Sequence, residues 1–343
     1  MIVVPAPELI EKTTALFLAA DCPQPVAQRV AESLIGNNLA GHDSHGVMMA
    51  PHYVRRVLDG SVNPRGELQI VRESASTALL DCGFQFGQVA ALEALEMALA
   101  KAAAHDVGIV ALRNCAHVGR LGEYVTLAAE RGYVGLMICN GPSPRGAVTP
   151  YGGRERMLGT NPIAWGIPTG AEPILVDFAT SGCAWGKIGV AMAKGEPIPE
   201  GLLLDKEGRP STNPDDMSDG GMMLPFGAHK GYGLGVVAEM LGGGLSGVGP
   251  VFWRQEGHNQ GTFLMAVNVE AFGSLDEFRA MADGLSVKLK AAERLPDCSE
   301  ILVPGEPERR SHAERSRSGI PVPDKTWAHF CETAASLGLT WDD

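Results

Sequence analysis

The middle of the chain alternates between helix-favouring and strand-favouring segments, and this order constrains the fold more than any other feature. An alanine-rich segment at 88–104 favours a helix and is followed by the β-favouring string GIVALRN. A second helix is predicted at 123–131, where Gly132 ends it before the apolar strand YVGLMIC. Because alternating helices and strands pack as layers, the sequence predicts an α/β fold.

Helices are also predicted towards both ends of the chain. Apolar residues between 9 and 34 recur at helical spacing, and the break at 21–25 divides them into a helical hairpin. Two stretches are predicted as surface connections: 196–222, and the polar stretch 306–318, to which we assign no catalytic role. The remaining predicted elements are the strands ILVDF and TFLMAVNV and helices at 184–194, 231–241, 275–294 and 325–337.

Composition limits the size of the core and the partners. The chain has 343 residues, 45% of them hydrophobic, which is enough for two or more domains. The formal net charge is -12, so the protein has no electrostatic reason to bind a phosphate backbone or an anionic membrane surface. We therefore expect neither nucleic acid nor a membrane as a partner.

The cysteines indicate the compartment. Seven cysteines are scattered along the chain without a Cys-x-x-Cys pair, which is typical of reduced thiols. Residues 1–7 lack the charged segment and apolar run of a signal peptide, and no apolar stretch reaches the length that spans a bilayer. A cytoplasmic location is expected.

The string Gly41-His42-Asp43-Ser44-His45-Gly46 places two imidazoles, an acid and a hydroxyl between glycines. Histidine titrates near neutrality and is suited to proton transfer. In the alternative interpretation these groups cap a helix and hydrogen-bond one another. A zinc site of His42, His45 and His52 has less support, because the chain lacks a helix-borne HExxH motif and a cysteine pair there. We expect no metal.

A second string, RNCAHVGRLG at 113–122, connects the predicted strand to the helix predicted at 123–131. Loops at strand ends are favoured positions for ligand-binding groups. His117 is placed to exchange a proton with a substrate oxygen while the glycines expose backbone amides. A single loop histidine is also commonly structural, so both roles stay open at this point.

The string DFATSGCAWGK at 177–187 predicts a strand that passes through small hydroxyl residues into a helix. In the simpler interpretation Thr180 and Ser181 cap that helix. In the other, exposed amides at the positive end of the helix hold a cofactor phosphate, and Lys187 adds charge.

The string LPFGAHKGYG at 224–233 places His229 and Lys230 among glycines immediately before a helix. It is either an anion pocket or a glycine-rich turn with two exposed polar side chains. It is not a Walker A loop, which needs GxxxxGK[ST] after a strand. The GxGxxG pattern at 242–247 ends a predicted helix rather than joining a strand to a helix, so a Rossmann domain has no support.

Five segments together resemble the type-2 malate/L-lactate dehydrogenase family, in the family's order and over nearly the whole chain. This family includes malate, sulfolactate and ureidoglycolate dehydrogenases, diketogulonate reductase and cyclic-ketimine reductases. The segments are DSHGV at 43–47, HVGRLG at 117–122, YGGRERMLGTNPIAWGIP at 151–168, DFATSGCAWGKI at 177–188 and LPFGAHKGYGL at 224–234.

The resemblance implies a non-Rossmann α/β fold in two domains. A mixed-sheet NAD(P)-binding domain is expected at 116–294, and a largely helical second domain, which carries the substrate and dimerisation surfaces, is built from both chain ends, 1–115 and 295–343. Family members form intertwined homodimers with active sites near the domain junction. The implied cofactor is NAD or NADP, bound by Asp177, Ala179, Thr180, Ser181, Lys187, His229, Lys230, Gly305 and Glu306.

By the same resemblance, His45 and His117 are the two candidates for proton transfer, and Ser44 is an orienting hydroxyl. The implied reaction interconverts a small 2-oxo acid and its 2-hydroxy acid, as in malate or lactate dehydrogenase. A hydride moves at nicotinamide C4 while the 2-oxo oxygen is protonated. The resemblance leaves the acid itself open.

One position departs from the family pattern. Many members follow SHGV with one variable residue and then an arginine that pairs with the substrate carboxylate, whereas this chain has Met49 there. Methionine cannot make the two parallel hydrogen bonds that arginine makes with a carboxylate. The candidate substrate contacts are therefore Met49, Tyr53 and Arg120, with Arg55, Arg56 and His52 as further groups that could compensate.

Three other functions stay open. The first is reduction of a cyclic ketimine such as pyrroline- or piperideine-2-carboxylate; Lys187 speaks against it, because ketimine reductases of the family tend to carry aspartate there. The second is a non-catalytic NAD(P)-binding protein, against which His45, His117 and Lys230 argue. The third is a metal hydrolase, suggested by the histidines of the first string.

Overall fold

The computed structural model describes residues 1–141, 145–253 and 259–341. The predicted order of the middle region is confirmed, because the helix Gly87–His105, the strand Val107–Cys115, the helix Gly122–Glu130 and the strand Tyr133–Cys139 follow one another. The helices are α1 (Ala6–Ala19), α2 (Gln24–Leu39), α3 (Ala50–Leu58), α4 (Gly87–His105), α5 (Gly122–Glu130), α6 (Trp185–Lys194), α7 (His229–Ala238), α8 (Leu275–Lys290), α9 (Glu306–Ser318) and α10 (Asp324–Ser336). The strands are β1 (Ile2–Val4), β2 (Gln69–Glu73), β3 (Thr77–Asp81), β4 (Val107–Cys115), β5 (Tyr133–Cys139), β6 (Pro162–Ile167), β7 (Ile174–Ala179), β8 (Leu203–Leu204), β9 (Pro210–Ser211), β10 (Met222–Met223), β11 (Gln260–Asn268) and β12 (Ile320–Val322).

A mixed sheet forms the centre of the molecule, and in the described residues it has seven strands in the order β2-β3-β4-β11-β5-β6-β7. Strands β3 and β4 pair in parallel, and the other neighbours pair antiparallel. Strand β11 lies between β4 and β5, so that Leu264 faces Val110 on one side and Met137 on the other. Because a Rossmann sheet is mostly parallel, this sheet confirms the predicted non-Rossmann α/β fold.

Helices α4 and α5 cover one face of this sheet. Leu112, Met137 and Leu264 from three neighbouring strands pack in one core with the alanines of α4 and with Tyr124 of α5. The helix lies very close to the sheet, since a Cβ at Gly108 would meet the Ala98 carbonyl oxygen at 1.9 Å. The small side chains of α4 therefore set the position of the strand that leads to His117.

A second core joins the two ends of the chain. Leu9, Phe17 and Leu34 from the predicted helical hairpin pack with Ile320 and Phe330 from the last elements, and β1 pairs with β12. A largely helical assembly from both ends, as the resemblance implied, is therefore present. The exact bounds of the two domains stay a prediction.

The prediction of a surface connection at 306–318 is wrong, because this stretch forms helix α9. Glu306 and Glu308 lie in its first turn and Arg315 in its last, which matches the helix dipole. Arg310 also bonds Glu306 one turn away at 2.6 Å. All residues of α9 are described and none is buried, so hydrophobic periodicity could not reveal the helix.

The stretch 196–222 is also more structured than predicted. It contains β8 and β9 and reaches β10, and these strands form a small antiparallel sheet. Leu203 and Met217 are buried in one cluster with Ile188 of α6. The predicted surface connection therefore packs as a small layer against α6.

The cysteines and the helices complete the description of the fold. The seven cysteines are free, and four of them are buried. In the three described ranges, no helix combines the length and the apolar character that crossing a membrane requires. Helix α7 continues into the π-helical turn Glu239–Gly244, so the discarded glycine pattern at 242–247 follows a helix, as predicted.

Candidate active site

Two buried asparagines at the end of α2 hold the loop that carries the first histidine string. The Asn38 side-chain amide donates to Asp43 Oδ1 at 2.6 Å, and its Oδ1 accepts the Val47 N–H at 2.7 Å. Asn37 Nδ2 donates to the carbonyl oxygen of His45 at 3.2 Å. The end of α2 therefore fixes the backbone on which His45 sits.

Helix α9 holds the same loop from the other side. Arg315 donates to the Asp43 carboxylate at 2.6 Å, and His42 Nε2 lies 3.2 Å from a Glu308 carboxylate oxygen. The sequence assigned no role to this polar stretch. In the structure it supports the candidate site, and its charged pairs connect the beginning of the chain to the end.

The structure brings His45 and His117 together, although the sequence separates them widely. Their ring centroids lie 5.6 Å apart with an interplanar angle of 21°. The Ser44 hydroxyl lies 3.1 Å from His45 Nδ1. The two imidazoles and the orienting hydroxyl therefore form one group at the junction of the helical core and the sheet.

Tyr53 links the His117 ring to Gln88 of α4 through two hydrogen bonds. Gln88 Nε2 donates to the Tyr53 hydroxyl oxygen at 3.0 Å, and that hydroxyl lies 2.7 Å from His117 Nδ1. Because Gln88 donates to the Tyr53 oxygen, the Tyr53 proton is free to point at Nδ1. In that arrangement a neutral His117 carries its hydrogen on Nε2 and presents a donor.

Both histidines are held in the neutral form. Burial lowers the pKa of His45 to about 4, and His42 and Arg120 lower it further in the same direction. Burial also lowers the pKa of His117 to about 3, assisted by His45, His52 and Arg56. Each imidazole is therefore available near neutral pH as a base or as a neutral donor.

These depressed pKa values make stability fall as the pH drops from about 6.5 towards 4. In that window the unfolded chain binds protons on these histidines and the folded protein does not, so protonation favours unfolding. We expect His117→Asn to lose less unfolding free energy than the wild type between about pH 7 and about pH 4.5, measured by urea unfolding. The exposed His329 gives a matched control, His329→Asn, which should follow the wild type. Parallel curves for His117→Asn and the wild type would contradict the assignment.

Two glycines let neighbouring helices approach the histidine pair. A Cβ on Gly87, the first residue of α4, would lie 2.5 Å from the His117 backbone. A Cβ on Gly186 of α6 would lie 2.4 Å from Ser44 Cβ. Real side chains do not approach so closely, so both helices contact the site through glycine.

Arg120 and Asp177 form a charged group beside the histidines. Arg120 Nε donates to Asn37 Oδ1 at 3.0 Å, and Asp177 Oδ2 accepts the Gly122 N–H at 2.7 Å. A Cβ at Gly122 would lie 2.6 Å from Arg120 Nη1 and 2.9 Å from Asp177 Oδ2. Burial raises the pKa of Asp177, and Arg120 opposes that shift.

The other candidate substrate contacts have different surroundings. Met49 is half-buried and packs against the core formed by the chain ends. Arg56 is buried and donates to the Ser61 hydroxyl at 3.1 Å, whereas Arg55 is exposed. The His52 ring lies 6.2 Å from the Tyr53 ring, centroid to centroid.

The capping role considered for Thr180 and Ser181 is wrong. Helix α6 starts after Ala184, and no side chain caps it. Thr180 Oγ1 donates instead to the Thr160 carbonyl oxygen at 3.2 Å, and Ser181 Oγ donates to the Cys183 carbonyl oxygen at 2.6 Å. Both hydroxyl residues are buried at the end of β7, where Ala179 is half-buried.

The structure brings the third and fourth strings side by side. The Phe226 N–H donates to the Thr180 carbonyl oxygen at 3.1 Å, and the Gly182 N–H to the Leu224 carbonyl oxygen at 2.7 Å. The first turns of α6 and α7, neither capped by a side chain, therefore lie in adjoining segments. They carry the exposed basic side chains Lys187, His229 and Lys230. Uncapped amides and cations fit the anionic diphosphate of a dinucleotide.

Gly305 and Glu306 lie at the other end of β7. The Leu175 N–H donates to the Pro304 carbonyl oxygen at 3.2 Å, and Gly305 has a φ of 93°, which favours glycine. Glu306 bonds Lys290 at 2.5 Å and Arg310 at 2.6 Å. Lys290 is the main cause that lowers the pKa of Glu306 to about 2.

No group of three metal-ligating side chains with suitable geometry occurs in the part of the chain that the structure describes. His42 bonds Glu308, His45 stacks on His117, and His52 lies beside Tyr53. Each of these three histidines therefore has a partner outside the predicted zinc set. The geometry gives the zinc interpretation no support.

The sequence did not reveal three residues that position the site: Asn37, Asn38 and Gln88. Each is a polar residue in a helix whose neighbours are mainly apolar, and each is buried. A buried polar side chain needs a partner, which here is a loop or a catalytic candidate. Polar residues within an apolar helix pattern were the available signal.

Comparison with known proteins identifies the family. The model of the family described as malate/L-lactate dehydrogenase matches residues 4–331. The malate dehydrogenase of Pyrococcus abyssi is 36% identical and covers 98% of this chain and 95% of its own. Among solved structures, the sulfolactate dehydrogenase of Methanocaldococcus jannaschii has a TM-score of 0.90 with 33% identity, covering 99% of this chain and 98% of that one. The Δ1-piperideine-2-carboxylate reductase of Pseudomonas syringae pvar. tomato has a TM-score of 0.85 with 28% identity, covering 97% and 100%.

These similarities place the chain among the oxidoreductases, in a class of dehydrogenases that act on CH–OH groups and generally use nicotinamide cofactors. The chain belongs to the malate/L-lactate dehydrogenase family, as the five segments predicted. Membership argues against the metal hydrolase and the non-catalytic protein.

Proposed function

We propose that this enzyme interconverts a small 2-oxo acid and its 2-hydroxy acid, with NAD or NADP as the hydride carrier. The observation that supports this most is the stacked pair of neutral imidazoles, His45 and His117, with the Tyr53 hydroxyl within hydrogen-bond distance of His117 Nδ1. An oxygen atom that contacts both a donor and a base can exchange one proton, as the C2 oxygen of a hydroxy acid must.

In this mechanism His117 binds the C2 oxygen and His45 moves the proton. In this proposal Tyr53 donates to His117 Nδ1, so that His117 donates its Nε2–H to the oxygen. His45 donates Nδ1–H to the Ser44 hydroxyl, which leaves Nε2 free to accept the hydroxyl proton during oxidation. In reduction the same proton returns from His45 to the C2 oxygen. Either direction uses one proton for each hydride.

The cofactor, when bound, supplies the hydride acceptor and donor. Lys187, His229 and Lys230 would hold its diphosphate together with the first-turn amides of α6 and α7. The remaining proposed contacts lie along β7 and at the start of α9: Asp177, Ala179, Thr180, Ser181, Gly305 and Glu306.

The second candidate is reduction of a cyclic ketimine, favoured by the similarity to Δ1-piperideine-2-carboxylate reductase. A ketimine reacts as an iminium cation. Lys187 follows Gly186, which contacts Ser44, so a positive charge lies near the site and would repel that cation. This charge supports the 2-oxo acid over the ketimine.

We further propose a cytoplasmic homodimer. Helix α8 and the segment before it expose large apolar side chains, including Phe272 at 83%, Met281 at 67% and Val287 at 67%. Contiguous apolar surface marks an interaction site, and a second copy is the expected partner. The free thiols support the cytoplasm. Light scattering should give the dimer mass, and a monomer mass would contradict this part.

Initial rates of NADH and NADPH oxidation against 2-oxo acids and cyclic ketimines test the proposed function. We expect 2-oxo acids to be reduced, and faster than ketimines. Turnover of ketimines alone would favour the second candidate. Turnover of neither class would contradict both.

Gly186→Ala tests the contact between α6 and the proposed catalytic group. The new Cβ would displace Ser44 and break its hydrogen bond to His45, since 2.4 Å leaves no room. We expect a fall in kcat of about 10- to 100-fold in initial-rate assays. Gly189→Ala is the matched control, because a Cβ there meets no atom within 4 Å. An equal effect of the two variants would contradict the role of Gly186.

A further inference from the structure

Arg120 carries a buried donor that the fold leaves without a partner. Its Nη1 is buried, and among the described residues it has no hydrogen-bond partner. Leaving a buried charged donor unsatisfied is unfavourable unless a ligand completes it. The guanidinium can therefore donate a further hydrogen bond, through Nη1, beside the histidine pair.

A hydrogen bond to Asn37 fixes the orientation of this guanidinium. Asn37, which is 1% exposed, accepts from Arg120 Nε at 3.0 Å and donates to the His45 carbonyl oxygen at 3.2 Å. One amide therefore couples the position of the cation to the position of the proposed base. Arg120 also contributes to the lowered pKa of His45, which shows that its charge acts on that ring.

The neighbouring Asp177 carboxylate does not accept a hydrogen bond from Arg120 Nη1. Asp177 Oδ2 accepts the Gly122 N–H at 2.7 Å, and within the described ranges no ion pair joins Asp177 to Arg120. Gly122 packs directly against both groups, since a Cβ there would lie 2.6 Å from Arg120 Nη1 and 2.9 Å from Asp177 Oδ2. Among the described residues, neither Asp177 nor any other acceptor takes up the Nη1 donor.

We propose that Arg120 is the anchor for the C1 carboxylate of the substrate and that Asn37 is its positioning residue. This rests on the proposed function, in which His45 and His117 contact the C2 oxygen of the same molecule. The carboxylate carbon is bonded to C2, so its anchor must lie beside the histidines, as Arg120 does. Met49 packs against the helical core and offers no charge. The substrate class is thus a 2-oxo acid with a free C1 carboxylate.

The competing explanation is that Arg120 only balances the charge of Asp177. A comparison of a 2-oxo acid with its primary amide separates the two roles, because the amide lacks the anionic carboxylate. For Arg120→Gln we expect kcat/KM to fall about 10- to 100-fold with the acid and less than about 3-fold with the amide. Equal losses with both substrates would overturn the proposal.

A second variant and a binding measurement keep the test decisive if Arg120→Gln folds poorly. In Asn37→Asp the new carboxylate pairs with Arg120, so the same selective loss with the acid is expected. Arg131→Gln removes an exposed arginine that pairs with Glu96 and should change neither substrate.

Calorimetric binding of the 2-hydroxy acid reports on the anchor without turnover. We expect Arg120→Gln to weaken binding about 10- to 100-fold. Unchanged affinity would overturn the anchor. If the wild type binds the acid through Arg120 yet reduces no 2-oxo acid, the proposed function fails while the anchor holds.

Discussion

Replacing His45 with alanine is expected to lower kcat for oxidation of the 2-hydroxy acid by about 100- to 10,000-fold. The neutral ring, with a pKa of about 4, is the proposed base, and Ser44 leaves its Nε2 free. The residual rate should rise with pH, since hydroxide then replaces the missing base. Initial rates over a pH series measure both effects.

His117 and His329 provide the comparison for this variant. His117→Ala removes a donor rather than a base, so we expect a loss of about 100- to 1,000-fold without the rising pH profile. His329 is exposed on α10, and His329→Ala should keep the wild-type rate. A His45→Ala enzyme with wild-type kcat would rule out His45 as the base, and a rising profile in His117→Ala would transfer that role to His117.

Replacing Glu239 with glutamine is expected to lower the unfolding free energy by about 3–5 kcal/mol. This buried carboxylate is 3% exposed and accepts four hydrogen bonds. The donors are Asn140 Nδ2 at 3.0 Å, Gly159 N at 3.1 Å, Asn161 Nδ2 at 2.9 Å and Val251 N at 2.9 Å. Glutamine would turn one of its acceptor oxygens into a donor that faces other donors.

Urea unfolding measures this loss, and Glu130→Gln on the exposed end of α5 is the control. The substitution should also disturb the candidate active site. Glu239 holds the segment whose Thr160 carbonyl oxygen accepts a hydrogen bond from the Thr180 hydroxyl. A loss below about 1 kcal/mol would show that neighbouring groups rearrange and that the carboxylate is not needed.

The spacing of apolar residues predicted those helices and strands that turn an apolar face towards the core. The strand YVGLMIC, at 133–139, matches β5, and the helix at 88–104 matches α4 within one residue at each end. The edge strand β2 was not predicted, since all five of its residues are exposed and carry no inward apolar face. Helix α9 was not predicted for the same reason.

Sheet order could not be read from local sequence. Strand β11 inserts between β4 and β5 although it follows them by more than a hundred residues. Such pairing depends on how the completed layers pack, and no single segment encodes it. The resemblance predicted the fold class, but not this order.

Some features of the candidate site could likewise be predicted from the sequence, and others could not. Sequence strings and the family resemblance indicated His45, His117 and Tyr53 as site residues, because imidazoles and hydroxyls between glycines suit proton transfer. The position of Tyr53 beside His117 depends on a hydrogen bond from Gln88, and the orientation of Arg120 depends on Asn37. These are distances between side chains remote in sequence, so only the folded structure reveals them.

Isotope transfer from the cofactor to C2 tests whether the enzyme reduces a 2-oxo acid by hydride transfer. The purified enzyme is incubated with a 2-oxo acid and reduced cofactor that carries deuterium at both C4 positions, and the product is analysed by mass spectrometry and NMR. We expect a 2-hydroxy acid with one deuterium on C2 and none in its exchangeable hydroxyl after transfer to ordinary water. A product without deuterium on C2, or no product from any 2-oxo acid tested, would contradict this expectation.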